Sequence, residues 1–145
     1  IRPHFVQWLM EARHEHRLNN LHGIVANANE HLDDLLEARS VEFVSVNFPD
    51  PWFKNRHRKR RVVRPDWLEA LLPKLKKGAQ IHAMTDFQPI GKQMMAVLSA
   101  CPELENNLGA ERYAENSTTN IYSEREIIHT KRNERIYRMS FTYLP

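Results

Sequence analysis

The run VEFVSV at positions 41–46 passes directly into NFPDPW, and this junction constrains the fold more than any other stretch of the chain. The run is β-branched and apolar almost throughout, which predicts a buried parallel strand over Val41–Val46. Pro49 and Pro51 then stop either kind of element, since proline lacks a backbone N–H and restricts the residue before it. Ligands of open α/β sheets bind beyond the carboxyl ends of the strands. The loop after this strand carries the groups such a site needs. Asp50 is a carboxylate held between two prolines, and Trp52 offers a flat ring.

The remaining pattern supplies partners for that strand. A helix over residues 3–18 is opened by Pro3 and carries Phe5, Trp8, Leu9 and Ala12 at helical spacing. Leu21–Ala26 reads as a short strand, and Asn29 as the cap of a helix across Glu30–Leu36. Pro65 and Asp66 open a helix reaching Lys77, with Trp67, Leu68, Leu71, Leu72 and Leu75 as its stripe, Pro73 as a kink and Gly78 as its stop. Ala79–Met84 predicts a second buried strand and Gln88–Cys101 a third helix. A weak strand near Glu111–Ala114 and an alternating one over Arg135–Tyr143 complete the chain. Strands alternating with helices predict a one-domain α/β fold with a mainly parallel sheet and a closing antiparallel hairpin. A length of 145 residues suits one domain.

The formal charge of +3 hides its own distribution. Residues 1–53 hold 4 Lys+Arg and 8 Asp+Glu, and residues 65–145 hold 10 of each. The positive excess therefore lies in KNRHRKRRVVR (54–64), with seven cations and no acid. Composition alone leaves a solvated face, a localisation signal and a phosphate-binding patch open. Its position two residues after Trp52 favours the last: an aromatic platform beside cations suits a stacked base and its phosphates. Asp86, in MTDF after the next strand, adds a carboxylate on the same sheet edge if the two strands pair.

Other chemistries find less support. His14 and His16 lie two apart, on different faces of the predicted helix and without an acid or cysteine set, so no metal site is expected. Cys101 is the single cysteine, which excludes an intramolecular disulfide. Met84, Met94, Met95 and Met139 read as core. No apolar run approaches the ~18–20 residues of a membrane span. The expected setting is intracellular and cytoplasmic.

The string NFPDPWFKNRHRKRRVV, followed by a helix, a strand and TDF, resembles the tRNA (guanine-N7)-methyltransferases, and the likeness extends from IRPHFV to ERIYRMSFTYL. The resemblance implies a class I, Rossmann-like methyltransferase sheet. It also implies S-adenosylmethionine as methyl donor and tRNA as partner, with N7 of a variable-loop guanine as the acceptor. By position in the motif, Asp50 is implied as the active-site acid beside the methyl donor. Lys54 is implied as a substrate contact, and Arg56, His57, Arg58, Lys59, Arg60 and Arg61 as the RNA-touching segment. Asp86 is implied to contact the target nucleotide, and Ser123, Glu124, Arg125 and Glu126 fall on a substrate loop, where Glu126 alone agrees cleanly. Asn27 stands where the family places an adenine-binding aspartate.

The front of the chain departs from the family pattern. Ile1 and Arg2 resemble residues that directly follow a ribose-binding acid, and Gly23, Gly78, Gly91 and Gly109 are too far apart to form a cofactor loop. The expectation is one methyltransferase domain over residues 1–145 without its glycine-rich front and first two strands. Such a chain should bind S-adenosylmethionine poorly and hold an incomplete sheet, unless residues 21–26 pair directly with 41–46. A nucleic-acid amino-methyltransferase and a non-catalytic RNA-binding module remain the alternatives.

Overall fold

The computed structural model describes residues 3–145, apart from the side chains of Pro3 and Asn55. Ile1 and Arg2, placed by resemblance behind a cofactor acid, lie outside the described residues. Contacts divide the chain after Leu35 into two units, each described by itself. In the first, helix α1 spans Pro3–Glu15, short of the predicted residue 18 because Arg17 turns the chain at φ 53°. Val6 and Leu9 close on Gly23, where a Cβ would come within 3.0–3.1 Å of their side chains. Phe5 and Trp8 face solvent.

Residues 21–26 are irregular, not the predicted strand. No described strand lies in this unit, so an extended segment here has no ladder to satisfy its backbone groups. The predicted cap Asn29 stands three residues ahead of the helix, in a turn closed by Asn27. The Asn27 Oδ1 accepts from the Asn29 N–H at 3.1 Å, and the Asn27 carbonyl accepts from Glu30 and His31. This turn delays helix α2 to Leu32–Leu35.

The second unit holds β1 (Val41–Asn47), α3 (Pro65–Leu71), β2 (Leu75–Thr85), α4 (Gln88–Ser99), β3 (Leu104–Asn106), α5 (Glu124–Lys131) and β4 (Tyr137–Tyr143). The sheet order is β1-β2-β4-β3. β1 and β2 are parallel, joined by a crossover through α3, and the pairings β2–β4 and β3–β4 are antiparallel. The α/β class stands, with a mixed sheet of four described strands. The closing pair is antiparallel but no tight hairpin, because residues 107–136 and α5 lie between its strands.

Proline decides where α3 ends. Pro73 has no N–H to donate to Glu69, so the helix stops at Leu71 and not at Lys77, and a 3-10 turn over Leu72–Lys74 leads into β2. Gly78, at φ 77°, lies inside β2 as a bulge, and the β1–β2 register jumps there from Val41↔Leu75 to Phe43↔Gln80. Only a residue at ease in the left-handed region fits that jump. Near Glu111 the expected strand shrinks to one bridge, Ala114↔Arg138, because Glu111 turns at φ 56°.

Cross-strand partners share a face. Ile81↔Phe141 and Ala83↔Met139 face α3 and α4, as do Val44 and Val46 through their β2 partners. Trp67, Leu68 and Leu71 of α3 and Ile90, Met94, Met95 and Leu98 of α4 are buried in this layer. Each such side chain contributes roughly 1.5–3 kcal/mol on leaving water. The other face is polar. Gln80, His82, Ser140 and Thr142 bond to Asn107 and Thr118 of the connecting segment, with His82 Nδ1 2.6 Å from Thr118 Oγ1 and Thr142 Oγ1 2.6 Å from Asn107 Oδ1. Burial lowers the His82 pKa, which favours the neutral ring among these hydroxyls. β1 is an edge strand, so its alternation is half exposed and not fully buried as predicted; Phe43 is 49% exposed.

Candidate active site and RNA interface

β1 delivers the loop as its sequence requires. The Phe48 N–H extends the ladder by one bond to the Met84 carbonyl, at 2.8 Å, before the prolines end it. Phe48 and Trp52 both sit in the left-handed region, at φ 48° and 43°. For non-glycine residues this costs on the order of 1–2 kcal/mol each, and such strain clusters at functional loops. Arg61 holds the loop from behind: its Nε donates to the Pro51 carbonyl at 3.1 Å. Burial, followed by the charge of Arg58, lowers the Arg61 pKa.

The basic block folds as a 3-10 helix over Asn55–Arg60. With three residues per turn, positions three apart eclipse, and this periodicity sorts most of the cations; Lys59, three from the exposed Arg56, joins the Arg58 side without it. Lys54, His57 and Arg60 turn toward Trp52. His57 meets its ring edge-on at 5.6 Å, and the Arg60 guanidinium lies over it at 5.1 Å. Asp50, Pro51, Trp52, Phe53, Lys54 and His57 line a cleft of about 380 Å³. Arg58, Lys59, Arg61 and Arg64 turn the other way, into a second cleft of about 460 Å³ bounded by Pro65, Asp66, Pro89 and Gln93. One cleft is aromatic with a carboxylate; the other is cationic. Arg56 stays exposed, its Nε 3.2 Å from His57 Nε2.

β2 delivers Asp86 beside this loop, since β1 and β2 are parallel and end at Asn47↔Met84. Phe53 and Phe87 join the two loops edge to face, with centroids 5.0 Å apart. Asp86 Oδ2 receives Arg125 at 2.8 Å and faces His129 Nε2 at 3.2 Å. Burial pushes the Asp86 pKa up, but the Arg125 hydrogen bond and charge and the His129 charge outweigh it, and the net shift is downward. The carboxylate form is the one this site holds.

The substrate loop implied by resemblance is helical. Ser123 caps α5, its Oγ accepting from the Glu126 N–H at 3.2 Å. Glu124 is exposed. Glu126 is fully buried and takes Arg138 Nε at 2.7 Å, with its second oxygen unpartnered. Of that quartet, Arg125 alone reaches Asp86. Asn27 lies in the first unit, with its side-chain oxygen engaged in the turn described above.

Sequence reasoning placed Phe48 in the ligand-facing loop but missed Phe87, His129 and Arg138. The signal for His129 was available: Ser123-x-x-Glu126 is a helix-start signature, and a helix from there stacks positions 125 and 129.

The glycines supply no cradle for a nucleoside donor among the described residues. Gly23 and Gly91 are filled by packing, the latter with a built Cβ 2.9 Å from Tyr137, while Gly78 and Gly109 serve separate turns. These residues therefore do not by themselves fit S-adenosylmethionine. No group of three or more metal-ligating side chains is found among the described residues, and no helix among them is long and apolar enough to cross a membrane.

Comparison with known proteins accords with this geometry. A family model described as "Putative methyltransferase" matches residues 1–139. A tRNA (guanine-N(7)-)-methyltransferase of Alkalilimnicola ehrlichii is 39% identical over 113 residues, covering 78% of this chain and 47% of that protein. One of Burkholderia mallei is 43% identical over 100 residues, covering 69% of this chain and 37% of its own length. The chain thus spans less than half the length of these curated relatives. A solved SAM-dependent O-methyltransferase of Thermotoga maritima shares the fold at TM-score 0.55 and 12% identity, over 99% of this chain and 48% of that one. On the match across residues 1–139, the chain belongs to this methyltransferase family, and both curated relatives described above carry the name tRNA (guanine-N(7)-)-methyltransferase.

Proposed function

We propose that this chain carries the RNA-side machinery of a tRNA (guanine-N7)-methyltransferase acting in the cytoplasm on a variable-loop guanine, with S-adenosylmethionine as the source of an electrophilic methyl group. One observation carries the reading: a single 3-10 helix divides an aromatic, acid-bearing cleft from a cationic one. A base fits the first and its flanking phosphates the second. Stacking on an aromatic contributes ~1–3 kcal/mol per base, and the phosphate contacts are indifferent to sequence.

Guanine N7 already carries an in-plane lone pair, so alkylation there needs no base to remove a proton. The protein's task is to hold the ring in line and to favour the positive charge the ring gains. Asp50, exposed in the cleft beside Trp52, serves that charge. Both α5 partners of Asp86 fall on Oδ2, so Oδ1 is the oxygen for the guanine N1–H and amino group. Lys54, His57 and Arg60 steady the Trp52 side, while Arg58, Lys59 and Arg61 take phosphates. The second reading, an RNA-binding module without methyl transfer, is favoured by one observation: no described glycine forms a donor cradle.

The test is a split between turnover and affinity. In the methylating protein, Asp50→Ala should cut 7-methylguanosine formation by roughly a hundredfold or more and leave tRNA affinity within about twofold. The triple Ala substitution at Arg58, Lys59 and Arg60 should do the reverse. It should weaken binding and flatten the salt dependence by up to about 0.9 log units per lost phosphate contact. The opposite pattern overturns the assignment, and nucleoside analysis finding methyl on an exocyclic amine would replace it with amino-methylation.

A further inference from the structure

The Asp86 carboxylate does not hold itself in place. Its two partners come from one face of α5, where positions 125 and 129 stack as i and i+4. Arg125 reaches Oδ2 at 2.8 Å and His129 Nε2 at 3.2 Å. The other ring nitrogen of His129 lies 2.5 Å from Glu134 Oε2, because the chain turns back after α5 and the Glu134 N–H bonds the His129 carbonyl at 3.0 Å. The His129 ring is mostly buried and stacks on Phe48 at 5.9 Å and 15°, and the Arg125 guanidinium lies over the Phe48 ring at 5.1 Å.

His129 stands between two carboxylates, with Nε2 toward Asp86 and Nδ1 toward Glu134. Phe48 fixes the plane of the ring, and the Glu134 carboxylate stands against its far nitrogen, which makes no well-aligned hydrogen bond. Phe48 also begins the loop that carries Asp50. A single ring therefore touches the ends of both parallel strands.

We infer that His129 is a positioning residue that sets guanine specificity by fixing the orientation of the Asp86 carboxylate. This rests on the reading of Asp86 as the acceptor for the guanine N1–H and amino group. Adenine offers no N1–H and no 2-amino group, so a correctly aimed carboxylate favours guanine, and a loosely held one loses that preference. The cationic cleft, which grips phosphates, is untouched by the change.

The experiment compares two tRNA transcripts that differ only by guanine or adenine at the target position, with affinity measured on this chain and its variants. Wild type should prefer the guanine transcript, and Asp86→Ala should abolish the preference. His129→Ala should lower it by about tenfold and have no further effect in the Asp86→Ala background. His129→Gln, which retains a donor nitrogen, should recover most of the preference. His129→Phe, which retains the ring against Phe48, should not. A preference lost on Asp86→Ala but kept by His129→Ala or His129→Phe overturns the positioning role and leaves the guanine reading standing. Additive losses do the same. A preference unaffected by Asp86→Ala, or absent in wild type, overturns the guanine reading and with it the inference.

Discussion

Glu126 and Arg138 show how a residue picked out by sequence can serve the site without facing it. The Glu126 side chain is fully buried, Arg138 is nearly so, and they meet at 2.7 Å. Arg138 also donates to the Glu115 carbonyl at 2.9 Å, which pins the start of the polar segment over the sheet. Removing one partner of a buried pair leaves the other charge uncompensated, at a cost of ~3–5 kcal/mol. Glu126→Ala should therefore lower unfolding stability by about that much in urea titration, and Glu126→Gln by clearly less. If Ala is tolerated within experimental error, the pair contributes no net stability. Because α5 begins at the Ser123 cap three residues before Glu126, a loss here should also loosen Arg125 and His129. The acid stands out in the sequence; its burial depends on Arg138, 12 positions away, and no local pattern announces that pairing.

Among the elements, α4 is fixed by a residue that is not there. A Cβ on Gly91 would lie 2.9 Å from the Tyr137 Cβ and 3.0 Å from its Cγ, so the helix approaches β4 as closely as a side chain permits. Gly91→Ala would ordinarily gain ~1 kcal/mol of helix propensity. Here overpacking should win, with a net loss of about 1–2 kcal/mol seen as a lower urea midpoint at unchanged slope; a gain would mean that Tyr137 yields without cost. α4 and α3 were legible in the sequence because their apolar spacing matches a helix and a sheet is there to receive it. Leu21–Ala26 has the composition of a strand but no partner, and composition cannot supply one. α5 escaped notice for the opposite reason. Its stretch, EREIIHTK, is mostly polar, and only the cap at Ser123 and the i, i+4 contacts to Asp86 reveal it. The loop carrying Asp50 and Trp52 was the most legible part, because prolines act locally and need no tertiary context.

Across the whole molecule, the positive excess sits in and around one short helix beside a loop tied down by Arg61, so approach of a polyanion is steered to one edge of the sheet. The donor side is less provided for. Isothermal titration of S-adenosylmethionine into this chain should show no binding at micromolar concentrations; a dissociation constant at or below about 10 µM would mean that groups other than the described glycines hold the donor. The three-residue period of the basic helix has a consequence for how such a segment can change. Swapping lysine for arginine, or moving a cation by three places, keeps every side chain on its own side. Inserting one neutral residue ahead of His57 turns the remainder by about 120°, bringing Lys59 to the place of Arg60 against Trp52 and sending His57 to the place of Arg58 in the cationic cleft. Net charge would be conserved while both clefts lost their own side chains, so it is the spacing of this segment, more than its basicity, that has no freedom to drift.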